Sequence, residues 1–318
     1  MDRIAERLAD QSGVISRRQL HAAGYAPYDI ERLVRRRDLS PSFPGVYLRH
    51  TGEPRWIERA WASLLLVSSD VELRDVALSH WSALRIAEGP GRRSSIEGPI
   101  HVAIPASRRV RSRPGVVVHR MVEFARQRHP GKLPPRILYE EAALDVAAEV
   151  SEFDALEVLT RAVGGRYSTA SRLLASSRLR SRLPRRAWIE AVLADIEQGT
   201  HSVLEHAFLE RVTRPHGLPA PMRQRRDVTA IGIVYRDAVY GGLAIELDGR
   251  LHHEEWRQRV ADMDRDLHAA AAGMRTVRLG WAQVVGRPCH TAAALAQLLA
   301  AGRPCDDRCP LARGARKS

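Results

Sequence analysis

The sequence predicts a mixed α/β protein: a small helix-turn-helix unit with an extended wing, a mostly helical middle, and a last third with one mixed sheet flanked by helices. Three observations lead there. A glycine-punctuated pair of amphipathic segments opens the chain and ends in an extended run rich in Pro and Gly. Helical spacing then recurs through the middle with two strand-like interruptions. After residue 198, three strand-like segments stand in a row before a charged helix, a strand and a final helix. At 318 residues the chain exceeds one ordinary core. Units are expected at 1–52, 53–197 and 198–303, with a flexible tail over 304–318.

In the first unit, Ile4, Leu8, Val14 and Ile15 carry apolar spacing. Ser16 stands where a helix N-cap belongs, before Arg17-Arg18-Gln19-Leu20, and Gly24 stops that helix. A second helix opens at Ala26-Pro27-Tyr28-Asp29-Ile30 and runs through Leu33, Val34 and Arg35-Arg36-Arg37. Helix, short Gly-containing turn, helix is the helix-turn-helix pattern, and Leu39–Leu48 then reads as a two-stranded wing. Arg32, Arg35, Arg36 and Arg37 fall on or beside the recognition helix, where phosphates and base edges would lie. On spacing alone, the alternative is a solvated arginine face on an ordinary three-helix domain. The run SGVISRRQLHAAGYAPYDIERLVRRRDLSPSFPGVYL resembles the winged-helix N-terminal domain of AbiEi-type antitoxin regulators, over about residues 3–50. The resemblance implies DNA binding and a protein partner of toxin type.

Composition points the same way. Lys and Arg number 50 against 37 acids, a net charge of +13. Only Lys132 and Lys317 are lysines; a genome rich in G and C accounts for that bias, but the net sign remains. A basic protein most often meets nucleic acid through phosphate neutralisation. No run approaches about 18 apolar residues, so no membrane span is expected. Met1–Gln11 reads as an amphipathic helix rather than a leader, and a cytoplasmic location is expected. Cys289, Cys305 and Cys309 cannot make a disulfide framework. Even with His290, their number and spacing fall short of a structural zinc set, so zinc is not expected there.

In the middle, helices are expected at Trp56–Val67, Val76–Leu84, Leu138–Val150 and Phe153–Val163, and strands at Ile100–Pro105 and Val116–His119. Between the strands, Ser107–Gly115 is a basic hairpin or loop carrying Arg109 and Arg111. A second basic run, Arg172–Arg186, carries Arg180 and Arg182 and has no acid between Glu157 and Glu190. Both runs read as DNA-backbone contacts, with a solvated face as the alternative. His80, His101 and His119 have no ligand spacing and read as structural.

The last third carries the chemistry. Strands are expected at Met222–Val228, Ile231–Val239, Leu243–Asp248 and Thr276–Leu279, a charged helix at about 254–272 and a final helix at Thr291–Ala301. Along Leu243–Asp248, alternation puts Ala244, Glu246 and Asp248 on one face. If Gly241-Gly242 is a two-residue hairpin loop, Tyr240 opposes Leu243 and Asp237 opposes Glu246. Carboxylates facing each other need a cation between them, and Mg²⁺ or Mn²⁺ suits such a pair. That points to a metal site at Asp237, Glu246 and Asp248. The alternative pairs each acid with an arginine such as Arg236, Arg250 or Arg278 on a solvated face. The stretch VYRDAVYGGLAIELDGRLHHEEWRQRVADMDRDLHAAAAGMRTVRLGWAQVVGRPC resembles the Vsr-like endonuclease domain of the PD-(D/E)xK superfamily, over about residues 198–303.

The resemblance implies a restriction-endonuclease-like mixed sheet, with Asp237 and Glu246 as the paired acids and Glu205 as the acid from the preceding helix. Asp248 stands where the superfamily usually has lysine, and His252 or His253 would then handle the proton. Glu205 also stands three residues after Ser202, the spacing of a capping box. The first functional expectation is a metal-dependent DNA endonuclease with an N-terminal DNA-binding module. The alternative is a non-catalytic antitoxin-like transcriptional regulator that uses an inactive nuclease fold for binding.

Overall fold

The computed structural model describes residues 4–89, 98–198, 202–229, 232–248, 270 and 273–302. It forms two compact units, Met1–Val146 and Ala147–Ser318. The division falls inside the stretch 53–197 that reads as one region in the sequence.

The first unit opens with α1 (Ala5–Asp10), β1 (Val14–Ser16), α2 (Arg17–Ala22), α3 (Pro27–Arg35), β2 (Ser40–Phe43) and β3 (Val46–Leu48). The three strands pair antiparallel in the order β1-β3-β2, the topology of a winged helix. Local chemistry fixes each boundary. Ser16 Oγ accepts the Gln19 N–H at 3.2 Å while the Gln19 side chain accepts the Ser16 N–H at 3.1 Å, a reciprocal cap that starts α2. Gly24, at φ +82°, supplies the left-handed turn between α2 and α3. Pro27 sits in the first turn of α3, where its missing N–H costs nothing, and Asp29 accepts the Ala26 N–H at 3.1 Å. Ile4, Leu8, Ile15, Leu20, Ile30, Leu33, Leu39 and Tyr47 form the core under these elements.

Strands β1 and β3 are buried on both faces. Ile15 and Tyr47 point into that core, and by alternation Val14, Val46 and Leu48 point away from it. Those three are buried as well, because α4 (Trp56–Val67) packs on β1 and β3. On another side α4 packs on β4 (Ala77–Leu78) and β5 (Ile100–Pro105). A helix shared by two sheets is apolar nearly all round, and Ala60, Trp61, Ala62, Leu64, Leu65 and Val67 are all buried.

The expected helix at Val76–Leu84 is corrected. Residues 77–78 form β4, and α5 (His80–Glu88) starts two residues later. Ala77 and Leu78 are buried where β4 pairs antiparallel with β5, so pairing outweighs the helical spacing. β6 (Val116–Met121) runs parallel to β5, with His101↔Val117 and Ala103↔His119 in register. The basic segment between them is therefore a crossover loop and not a hairpin. Short helix α6 (Phe124–Gln127) and α7 (Tyr139–Glu149) follow, α7 crossing the division between the units.

The second unit continues with α8 (Glu152–Gly164), α9 (Ala170–Leu179), α10 (Arg186–Gln198) and α11 (Ser202–Ala207), which runs on as a wider π-type turn over Phe208–Thr213. Its sheet holds β7 (Met222–Thr229), β8 (Gly232–Tyr240), β9 (Leu243–Asp248) and β10 (Arg275–Gly280) in the order β10-β9-β8-β7. The first three form an antiparallel meander, and β10 joins β9 in parallel. A π-type turn at Ala282–Gly286 and α12 (Pro288–Leu299) close the described fold. Phe208, Val212, Trp281, Val284 and Leu295 are buried there. The architecture is mixed α/β, as the sequence predicts. The charged helix expected at 254–272 lies almost wholly outside the described residues.

Candidate nucleic-acid interface

α3 is an amphipathic helix whose apolar stripe, Ile30 and Leu33, is buried in the winged-helix core. That burial fixes which way its other face points. Arg32, Arg35, Arg36 and Arg37 all lie exposed along α3 and its C-terminal turn. Arg32 pairs with Asp29 at 3.0 Å, an exposed i,i+3 contact worth only about 0.3–0.5 kcal/mol and readily exchanged for a phosphate. The guanidinium groups of Arg35, Arg36 and Arg37 have no partner among the described residues. Arg37 sits at φ +62°, where the chain leaves the helix toward the wing. Behind this face, Arg17 at the start of α2 donates to the Tyr47 hydroxyl at 3.0 and 3.2 Å, tying α2 to the wing strand β3.

The other basic runs divide by role. Arg109 and Arg111 are exposed on the β5–β6 crossover loop, free of partners among the described residues. Their neighbour Arg108 is a structural residue, bound to Asp75 at 2.7 Å and to the Val67 carbonyl at 2.8 Å. In the second unit Arg182 is exposed and free on the same terms, while Arg180 ends α9 half-buried and engaged. Arg185 donates to the Ala147 and Val150 carbonyls, and Arg186 to those of Ser177 and Arg180. Both therefore cap helix C-termini, which is why a run without acids need not all face a ligand.

The acidic hairpin takes the register the diglycine implies. Gly241, at φ +55°, makes the tight turn, and Tyr240 pairs with Leu243, Val239 with Ala244 and Ala238 with Ile245. The registered pairing stops there among the described residues. A continued ladder would give the Leu247 N–H to the Arg236 carbonyl. Instead the Asp237 carboxylate takes it, at 2.7 Å. Glu246 is held at 2.7 Å by the guanidinium of Arg236, a buried residue whose side chain is 4% exposed. Glu205, on α11, lies 3.7 Å from Arg223 of β7.

The two acids turn to different partners, one to a backbone N–H and one to a guanidinium. A divalent ion at Glu246 would compete with the Arg236 guanidinium for the same carboxylate. Asp248 ends β9 in register with Gly280, but its side chain lies outside the described residues, as do His252 and His253.

A cluster absent from the sequence reading appears in the first unit. His80, His101 and His119 offer ligand atoms within 4.8 Å of one another. In a parallel pair with His101↔Val117, His119 is two residues on and shares the face of His101. The signal was present in the two strand segments, but only parallel pairing reveals it.

Residues 2–50 match the family model described as transcriptional regulator, AbiEi antitoxin. The match ends with the winged helix and lends nothing to the nuclease resemblance of residues 198–303. No curated protein matches the chain. No helix among the described residues is long and apolar enough to cross a membrane.

Proposed function

We propose that the protein is a duplex-DNA-binding transcriptional regulator of the AbiEi antitoxin kind, with α3 in the major groove and the β2–β3 wing beside it. The observation that carries this is the set of exposed guanidinium groups of Arg35, Arg36 and Arg37, unpartnered among the described residues, at the end of α3 and on its C-terminal turn. The family match over the same segment supports it, as does the net charge of +13. Exposed Arg109, Arg111 and Arg182 add phosphate contacts. A toxin-type protein is the partner such a regulator would hold. The second unit acts as a non-catalytic, nuclease-like body, a reading supported by the separate partners of Asp237 and Glu246.

One set of measurements tests both halves. Binding of the full chain to labelled duplex, read by fluorescence anisotropy, should weaken at least about tenfold in R35A/R36A, the loss of two phosphate or base contacts. The same protein with Mg²⁺ or Mn²⁺ should leave supercoiled plasmid intact. Undiminished binding in the variant removes the recognition-helix assignment. Metal-dependent nicking that disappears in Asp237→Asn reinstates the endonuclease, with Asp237, Glu246, Asp248 and His253 as its site.

A further inference from the structure

We propose that His80, His101 and His119 form a binding site for a divalent transition ion of the zinc class, with the Asp145 carboxylate as fourth ligand. This site shares no residue with α3 or the acidic hairpin and does not rest on the DNA-binding reading. Backbone contacts place its members. The Ser79 N–H donates to the His101 carbonyl at 3.0 Å, and the His101 N–H donates to Ser82 Oγ at 2.9 Å, so the start of α5 is fastened to β5 beside His101. His119 reaches the same face from β6. His80, at φ +47°, takes the left-handed conformation that turns β4 into α5. Such a conformation for a non-glycine residue persists only where its surroundings hold it, and it clusters at functional positions.

The geometry suits ligands. His101 Nδ1 and His119 Nε2 lie 2.9 Å apart, one donating its proton to the lone pair of the other, so loss of that single proton and a small ring rotation would offer both nitrogens to one ion. The His80 ring stacks on that of His119, with centroids 3.7 Å apart, and His80 Nδ1 lies 3.9 Å from Asp145 Oδ2. Nitrogens bound about 2.0–2.1 Å from a tetrahedral ion stand roughly 3.4 Å apart, within reach of the present spread by side-chain rotation. Three imidazoles and one carboxylate, in a setting where His80 is buried and the others half-buried, form a borderline-soft set that favours zinc-class ions over Mg²⁺ or Ca²⁺. An ion there would join three segments, the β4–α5 junction, β5 and β6, together with α7.

The test uses the full chain, stripped with chelator and titrated with Zn²⁺ and separately with Co²⁺. One equivalent of Zn²⁺ should bind per chain and raise the unfolding temperature. Co²⁺ should give the visible absorption of a four-coordinate ion without a thiolate charge-transfer band. His101→Gln and His119→Gln should each weaken binding about 100-fold or more, and Asp145→Asn about 10–100-fold, while C305S/C309S binds like the parent. Failure of the parent to bind one equivalent overturns the proposal. So does a thiolate band, or binding that survives H101Q/H119Q and is lost in C305S/C309S; either would move the ion to the C-terminal cysteines. The parent Co²⁺ spectrum decides the matter even where a histidine variant does not fold.

Discussion

Glu246 and Arg236 show how one guanidinium changes what a pair of acids can do. Arg236 is buried with its charge, and a buried cation persists only when paired and hydrogen-bonded. Glu246→Ala should therefore destabilise the second unit by roughly 2–3 kcal/mol, somewhat below a fully enclosed pair, because Glu246 keeps a quarter of its side chain exposed. Urea denaturation read by circular dichroism measures this; a loss under about 0.5 kcal/mol, the range of a surface pair, would show that Arg236 draws its compensation elsewhere. The diglycine register was legible in the sequence because a two-residue loop admits few pairings. The direction of each carboxylate was not, since it depends on where the ladder ends and on which arginine reaches across. Arg236 did stand among the alternative partners that composition offered. His80, His101 and His119 were missed for a related reason: no spacing rule links residues brought together by a parallel crossover.

At the scale of elements, the segment from α4 to β4 is held by one carboxylate. Asp75 accepts from the Ser68 hydroxyl at 2.5 Å and from the Ser69 N–H and hydroxyl at 2.8 and 2.6 Å, and pairs with Arg108 of the crossover loop. Burial pushes its pKa up, but the hydrogen bonds from Ser68 and Ser69 and the Arg108 charge outweigh that and hold it below the ordinary range. A lowered folded-state pKa contributes stability that is complete above the unfolded value of about 3.9 and disappears as pH falls through the folded value. Asp75→Asn should thus be less stable than the parent at pH 7 and lose less on going below about pH 4. Urea midpoints at neutral and acid pH give the comparison, and parallel losses would exclude Asp75 as a source of acid sensitivity. Helix α8 and strands β7 to β10 were readable because each keeps one clear period, and α4 and α7 because each apolar run is too long for a strand. β4 was not, because two residues buried on both sides carry no period at all.

Across the whole molecule, a net charge of +13 makes ionic strength a direct probe of function. The logarithm of DNA affinity should fall linearly with the logarithm of salt, by about 0.9 for each phosphate neutralised, and R35A/R36A should flatten that slope by about 1–2. A slope unchanged in the variant would place the phosphate contacts on the other arginines. The helix pair and the wing were legible, because caps, turn glycines and apolar stripe agree within fifty residues; β1 was not, since its three residues read only as apolar spacing. The two-unit division was not, because it falls inside α7, a continuous helix whose sequence marks no boundary.

The sharing of α4 by two sheets sets how small a working piece of this protein can be. Cutting the gene after codon 50, where the family match stops, would strip α4 from β1 and β3 and leave Val14, Val46 and Leu48 bare to water. Such a truncate should self-associate and sediment as aggregates, whereas one carried through Val146 should remain monodisperse. The winged helix, on this account, cannot be detached from the helix behind it.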